Sequence, residues 1–204
     1  MIKRKITSFI EQFFIDEPKQ ALLITGARQI GKSYTIREYG KSNFKHFIEI
    51  NFLEKPEAVD AFKSSSDAKD ILLRLSALTS QEIEKGETLF FFDEVQVVPE
   101  IVTAIKFLVE EGSCRYILSG SLLGIALRSI RSMPVGYLTI KEMYPVDLEE
   151  FFKAVGVQSK VIESLELCFK EKKPVDAVVH KKLMQLFHLY LIVGGMPAVV
   201  QTYI

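Results

Sequence analysis

The sequence predicts a three-layer α/β domain built on a parallel sheet, followed by a small all-helical lid. Two observations support this fold class. Five short apolar runs of strand length alternate with stretches of helical periodicity over most of the chain. From about residue 146 onward, every periodic stretch is helical. Because strands that alternate with helices are joined by right-handed crossovers in parallel sheets, we predict an α/β core over residues 1–146 and a helical lid over residues 147–204.

The five predicted strands include one that marks the middle of the sheet. The run 89–92 is apolar at every position, which is typical of a strand in a parallel sheet whose two faces are both covered. The strand-like runs are residues 21–25, 47–51, 89–92, 115–118 and 137–140.

Start and stop residues set the predicted helix boundaries. An amphipathic helix is predicted over residues 6–15, and a second helix follows the first strand and ends at Gly40. Pro99 stands at or near the first position of a helix that runs to residue 111. Asp147 is predicted to cap a helix that runs to residue 154. The remaining predicted helices are residues 70–78, residues 160–170 and a long one that begins near residue 175.

The segment directly after the first strand carries the most informative pattern of the chain. It fits the phosphate-binding pattern G-x-x-x-x-G-K-[ST], in which glycines let the backbone curl so that its N–H groups point at a phosphate. Lys32 is expected to bridge β- and γ-phosphate oxygens. Ser33 opens the next helix and is expected to complete the shell of a Mg²⁺ ion. The pattern therefore predicts binding of a nucleoside triphosphate. The predicted binding residues are Gly26, Ala27, Arg28, Gln29, Ile30, Gly31, Lys32 and Ser33.

Two carboxylates follow the central apolar strand. Asp93 and Glu94 come directly after residues 89–92, which is the Walker B pattern. Because the carboxyl end of a central parallel strand opens onto the ligand crevice, Asp93 is expected beside the metal. Glu94 is the candidate base that orients and polarises the attacking water. The alternative is a glutamate that merely begins the next loop.

The fourth strand runs into small hydroxylated residues. A hydroxyl at its tip is expected to touch the γ-phosphate or the attacking water, which is the role called sensor 1. Ser119 and Ser121 both fit this position, and the sequence does not decide between them; we take Ser121 as the catalytic candidate. Both serines also fit a plain turn or a helix N-cap.

Taken together, these motifs resemble the AAA-type ATPases of bacteria and archaea. The resemblance is carried by the phosphate loop, by residues 91–96 and 117–121, and by two later stretches, residues 144–151 and 193–197. It implies ATP and Mg²⁺ as cofactors and the strand order 5-1-4-3-2. Members of this family are typically longer and carry a C-terminal module, so the resemblance implies that this chain is the N-terminal portion of a longer protein. A nucleic-acid or protein client would then be reached through that module.

The resemblance also implies that an arginine from a neighbouring subunit completes the site, as in a homo-oligomer. Arg128 and Arg131, just past the fourth strand, are the candidates for this arginine finger. No arginine follows Arg131, so the predicted lid cannot supply the sensor 2 arginine of many AAA proteins.

Composition bears on the partners and the cellular location of the protein. The formal net charge of the 204 residues is zero, which gives no electrostatic case for a nucleic-acid partner. The two cysteines have no partners at metal-binding spacing, and no targeting segment or membrane span is evident, so we expect a cytoplasmic protein with no membrane partner.

Three functional classes remain open at the level of sequence. The leading one is an ATPase that converts hydrolysis into a shape change or assembly. The second is a nucleotide-gated scaffold or regulator with little turnover. The third is a small-molecule phosphotransferase, which the pair Asp93 and Glu94 disfavours because a base aimed at water wastes ATP in a kinase.

Overall fold

The computed structural model describes residues 2–63, 67–121, 134 and 136–204. These residues form two compact units. The core unit is Phe9–Met143, and the helical unit combines residues 2–8 with Tyr144–Ile204. The predicted division into independent domains after residue 146 stays a prediction.

The core unit is built on a five-stranded sheet in which every neighbouring pair is parallel. The order is β2-β3-β4-β1-β5, which read from the opposite edge is the predicted 5-1-4-3-2. This arrangement brings the carboxyl ends of β1, β3 and β4 together in the middle of the sheet. The strands are β1 Ala21–Thr25, β2 His46–Asn51, β3 Thr88–Asp93, β4 Arg115–Gly120 and β5 Leu138–Glu142.

Helices cover both faces of this sheet. Phe90 and Phe92 stack on Tyr116 on the face where residues of α4 and α5 complete the apolar core. Phe91, which points to the opposite face, stacks on Phe47, and α2 packs on this side. The two covered faces explain why every residue of β3 is buried, and they confirm the three-layer architecture. The helices that begin before residue 143 are α1 Lys5–Asp16, α2 Lys32–Asn43, α3 Asp60–Lys63, α4 Ala68–Ala77 and α5 Glu100–Glu111, with 3₁₀ turns at Pro56–Val59 and Val95–Val97.

One helix boundary was predicted wrongly. Helix α2 does not end at Gly40 but continues to Asn43. A Cβ atom on Gly40 would lie 2.2 Å from the ring carbon Cδ2 of Phe47, so this glycine lets the helix approach the sheet closely. Gly40 therefore reflects close packing of the helix on the sheet and not the end of the helix.

The helical unit has its own apolar core, formed by Val146, Phe151, Phe152, Ile162, Leu183 and Val200. Asp147 caps α6 as predicted, through a capping box with Glu150. Glu150 also pairs with Arg4, so the N-terminal segment is fastened to this unit. The helices are α6 Leu148–Ala154, α7 Ser159–Glu171, α8 Ala177–Val193 and α9 Pro197–Tyr203. Within the described ranges, no helix combines the length and the apolar character needed to cross a bilayer.

Candidate nucleotide-binding site

The predicted phosphate loop connects β1 to α2, at the carboxyl end of the sheet. Gly26 and Gly31 have φ angles of 140° and 91°, which residues other than glycine rarely adopt. Gln29 is also left-handed, with a φ of 63°. A Cβ atom on Gly26 would lie 2.2 Å from the carbonyl oxygen of Met143. The loop therefore curls as tightly as the sequence pattern predicted.

Lys32, the first residue of α2, is buried within this curl and is only 8% exposed. Its Nζ donates hydrogen bonds to the carbonyl oxygens of Gly26 at 3.1 Å and Ala27 at 2.7 Å. Burial lowers the pKa of Lys32 below its ordinary value, although the negative charges of Glu94 and Asp93 act in the opposite direction. Among the described residues, Lys32 forms no ion pair within contact range, and a buried ammonium group of this kind attracts an anion such as phosphate.

Asp93 joins the end of β3 to the phosphate loop. Its Oδ2 accepts a hydrogen bond from the Ser33 hydroxyl at 2.7 Å. Its Oδ1 accepts from the hydroxyl of Ser119 and from the backbone N–H of Glu94, the latter at 3.0 Å. Asp93 is 4% exposed, and these donors are what make a buried carboxylate tolerable. The structure thus brings together Ser33, Asp93 and Ser119, three residues that lie far apart in the sequence.

The two serines left open by the sequence have different surroundings. Ser119 is bonded to Asp93, whereas the hydroxyl of Ser121 accepts from Nε of Arg28 at 3.5 Å. Both serines are buried. The Ser119 hydroxyl is therefore held by the Asp93 carboxylate at the end of β3, whereas Ser121 contacts the phosphate loop. The sensor 1 role of Ser121, with Ser119 as the alternative, stays a prediction. The finger candidates Arg128 and Arg131 lie outside the described residues.

Glu94 sits on a strained turn directly after β3. Its backbone is left-handed, with φ 58° and ψ 41°, a region that non-glycine residues rarely occupy. Its carboxylate oxygen Oε2 accepts a hydrogen bond from the side-chain amide of Gln96. No role for Gln96 is predicted from the sequence, although Gln96 belongs to the stretch 91–96 that carries the family resemblance. Only its position two residues after the candidate base marks it in the sequence.

The donor set suits a hard divalent cation. The hydroxyl of Ser33 is an oxygen ligand of the kind that Mg²⁺ prefers, and the Asp93 carboxylate that accepts its hydrogen bond could hold the ion through water. In the described part of the chain, no cluster of three or more histidine, cysteine or acidic side chains offers a complete metal cage. A magnesium ion at Ser33 and Asp93 would thus take its other ligands from phosphate oxygens and water, as Mg²⁺ commonly does at nucleotide sites.

Comparison with known proteins gives both a family and a fold. A family model described as an AAA domain matches residues 18–152, which is more than half of the chain. Among solved structures, the Walker-type ATPase PABY2304 of Pyrococcus abyssi is 14% identical, with a TM-score of 0.50 over 98% of this chain and 66% of that protein.

Two other solved structures overlap less well. The Aeropyrum pernix ORC1 protein, in complex with DNA, is 10% identical, with a TM-score of 0.46 over 72% of this chain and 46% of that protein. PCH-2 of C. elegans is 13% identical, with a TM-score of 0.44 over 87% of this chain and 50% of that protein. The chain therefore spans less than two thirds of the length of each of these proteins.

No curated protein sequence is significantly similar to this chain. The structural likeness to the Pyrococcus protein agrees with the parallel sheet and loop described above. The match over residues 18–152 covers the phosphate loop, Asp93, Glu94 and the end of β4. The chain belongs to the AAA-domain family of P-loop ATPases.

Proposed function

We propose that this chain binds MgATP, hydrolyses the bond between the β- and γ-phosphates, and couples turnover to a change of shape or assembly. The single observation that carries this proposal is the hydrogen bond between Ser33 of the phosphate loop and Asp93 at the end of β3. It joins the predicted phosphate-binding loop to the predicted metal-binding residue, with Glu94 as the next residue of the chain.

The phosphate loop and Lys32 would bind the triphosphate. Burial disfavours the charged form of Lys32, so phosphate oxygens would stabilise the ammonium group with negative charge that the two loop carbonyls do not supply. Ser33 and Asp93 would hold the magnesium ion, which when bound neutralises charge on the β- and γ-phosphates. Ser121, which contacts Arg28 of the loop, is our candidate for the hydroxyl near the γ-phosphate.

Glu94 would act on the attacking water. One oxygen of its carboxylate is bound to Gln96, and the other has no hydrogen bond among the described contacts. A carboxylate one residue from the metal-binding group can orient a water molecule and accept its proton. An arginine from a neighbouring copy, Arg128 or Arg131, would then stabilise the charge on the phosphates.

A nucleotide-gated scaffold with little turnover is the second candidate. It is the function expected if the contact between Glu94 and Gln96 withholds the carboxylate from water instead of orienting it. The two functions differ in one measurable respect, the loss of turnover in a Glu94→Gln variant.

Nucleotide binding is tested by the MgATP-induced rise in melting temperature of the parent chain and of Lys32→Ala. Loss of a hydrogen bond from a charged donor costs about 1.5–3 kcal/mol, so the affinity should fall roughly 10- to 150-fold. Lys160→Ala, on the exposed first turn of α7, is the control and should keep the parent affinity. An equal shift in the parent and Lys32→Ala would show that Lys32 lies outside the binding site.

Hydrolysis is tested by steady-state phosphate release. We expect Glu94→Gln to bind MgATP but to lose turnover, because an amide cannot accept the proton of water. We expect Asp93→Asn to weaken the magnesium-dependent part of ATP binding. The control Glu100→Gln changes an exposed carboxylate at the start of α5. Turnover of Glu94→Gln at the parent rate would contradict hydrolysis by this base and favour the scaffold.

Assembly is tested by the dependence of turnover on protein concentration. If a neighbouring copy supplies the finger, turnover per subunit should rise with concentration, and a mixture of Glu94→Gln with Arg128→Ala or Arg131→Ala should regain part of the lost activity. Arg74→Ala serves as the control, because Arg74 pairs with Asp70 on the exposed side of α4. A concentration-independent rate without rescue would mean that the site is complete within one chain or is never completed in it, and would contradict a finger from a neighbouring copy.

A further inference from the structure

Gln96 occupies the first turn after the candidate base and has an unusual set of contacts. Its amide nitrogen Nε2 donates to Oε2 of Glu94. A carboxylate only accepts hydrogen bonds, so the amide must turn its nitrogen and not its oxygen towards Glu94. The charge of Glu94 therefore fixes the orientation of the Gln96 side chain.

This orientation has a cost at the other end of the amide. Oε1 of Gln96 is shielded from solvent, and no hydrogen-bond partner for it exists among the described residues. A buried acceptor without a partner is destabilising. The contact with Glu94 is therefore kept although it leaves the Gln96 carbonyl unsatisfied.

A second cost falls on the same pair of residues. Glu94 holds a left-handed backbone conformation that glycine would adopt without strain. The neighbouring residues Val95 and Val98 are buried in the apolar core, so they anchor this turn to the core unit. Two local costs thus coincide at one contact, which is the pattern expected where an arrangement serves function.

We propose that Gln96 is a positioning residue that fixes the carboxylate of Glu94 for its work on the attacking water. This inference rests on the proposed ATP hydrolysis. With Oε2 held by Gln96, Oε1 of Glu94 accepts a proton from water as the water oxygen bonds to the γ-phosphorus. The bond from that phosphorus to the bridging oxygen breaks, and ADP leaves. Gln96 touches neither water nor phosphate and acts only through Glu94.

The variant Gln96→Met tests this role, because methionine has a similar length but no donor. We expect kcat to fall about 10-fold or more, while KM and the Kd for MgATP stay within about twofold of the parent values. Val97→Met places the same side chain at the exposed neighbouring position and should leave all three constants unchanged. Gln96→Glu, which is isosteric but sets a second carboxylate against Glu94, should lower kcat at least as much as Gln96→Met.

A measurement without turnover tests the contact itself. Thermal unfolding of Glu94→Gln, Gln96→Met and the double variant forms a cycle, and we expect the shift of the double variant to differ from the sum of the single shifts. Parent-like kcat in Gln96→Met, higher kcat in Gln96→Met, or strict additivity in the cycle would each overturn the positioning role. Absence of hydrolysis in the parent would instead refute the proposed function, so the two failures are distinguishable.

Discussion

The ion pair between Arg4 and Glu150 should be the most stabilising polar contact of the helical unit. The two side chains are 8% and 6% exposed, and Nε of Arg4 lies 3.1 Å from Oε2 of Glu150. Glu150 also accepts from the backbone N–H groups of Lys5 at 2.7 Å and Asp147 at 3.1 Å. The substitution Glu150→Gln removes the charge and keeps the shape, so the buried guanidinium loses the negative charge of Glu150.

The expected loss follows from burial. Removing one partner of a buried ion pair costs about 3–5 kcal/mol. Arg4 keeps a hydrogen bond to the carbonyl oxygen of Tyr144 at 2.6 Å, which favours the lower end of that range. For a chain of this size, about 3 kcal/mol corresponds to a fall in Tm of roughly 6–12 °C.

Lys5 provides the matched control, because its ion pairs are exposed. The side chain is 50% exposed and pairs with Asp147 and Glu149. Exposed pairs contribute about 1 kcal/mol or less, so Lys5→Met should lower Tm by at most about 4 °C.

Calorimetry and hydrogen exchange would test whether the buried ion pair stabilises the helical unit more than the exposed pairs do. Calorimetry gives the two Tm shifts, and hydrogen exchange shows whether the loss of protection falls on Tyr144–Ile204. The double variant Arg4→Met with Glu150→Met should recover part of the loss, because no uncompensated charge remains buried. A Glu150→Gln loss no larger than that of Lys5→Met would refute the argument from burial.

Three further predictions concern the core unit. At Gln29, whose φ of 63° favours glycine, Gln29→Gly should be about 1 kcal/mol more stable than Gln29→Ala in urea unfolding. At the control position Glu166, in the middle of α7, the alanine variant should be more stable than the glycine variant. The same order at both positions would contradict backbone strain at Gln29. Because burial lowers the pKa of Lys32, the unfolded chain holds more protons than the folded chain between that lowered pKa and 10.5. The parent should therefore gain stability relative to Lys32→Met as pH rises through this window, and a constant difference would contradict the burial effect. Gly40→Ala should lower the free energy of unfolding by about 1–3 kcal/mol, although alanine has the better helix propensity, because the new methyl group clashes with the Phe47 ring. A gain in stability would show that the ring can move aside.

Local patterns were sufficient to predict much of the fold. The unbroken apolar run of β3 predicted a strand covered on both faces, and every residue of that strand is buried. Asp147 was predicted to cap α6, and its capping box confirms this. The glycine pattern predicted the tight turn between β1 and α2, where Gly26 and Gly31 have positive φ angles. These features depend on residues that are neighbours in sequence, so a sequence pattern can report them.

Features that depend on distant residues were not predicted. The ion pair of Arg4 with Glu150 joins residues 146 positions apart, and no periodicity signals it. Gly40 predicts a helix stop from its residue type, whereas its packing against Phe47 is a tertiary contact that the local pattern does not report. Gln96 is close to Glu94 in sequence, but its contact depends on the left-handed turn at Glu94, a conformation that the residue type itself disfavours.

The hydrogen-bond directions around Asp93 bear on how the site is prepared for a cation. Ser33 and Ser119 both donate to this carboxylate, one to each oxygen. A hydroxyl group that donates its only proton still has lone pairs available to accept or to bind a metal. Asp93 therefore fixes the Ser33 hydroxyl with its lone pairs free, as outer-shell carboxylates orient metal ligands in other proteins. The sheet register that places β3 beside β4, and the phosphate loop at the end of β1, thus hold the Ser33 hydroxyl in one orientation.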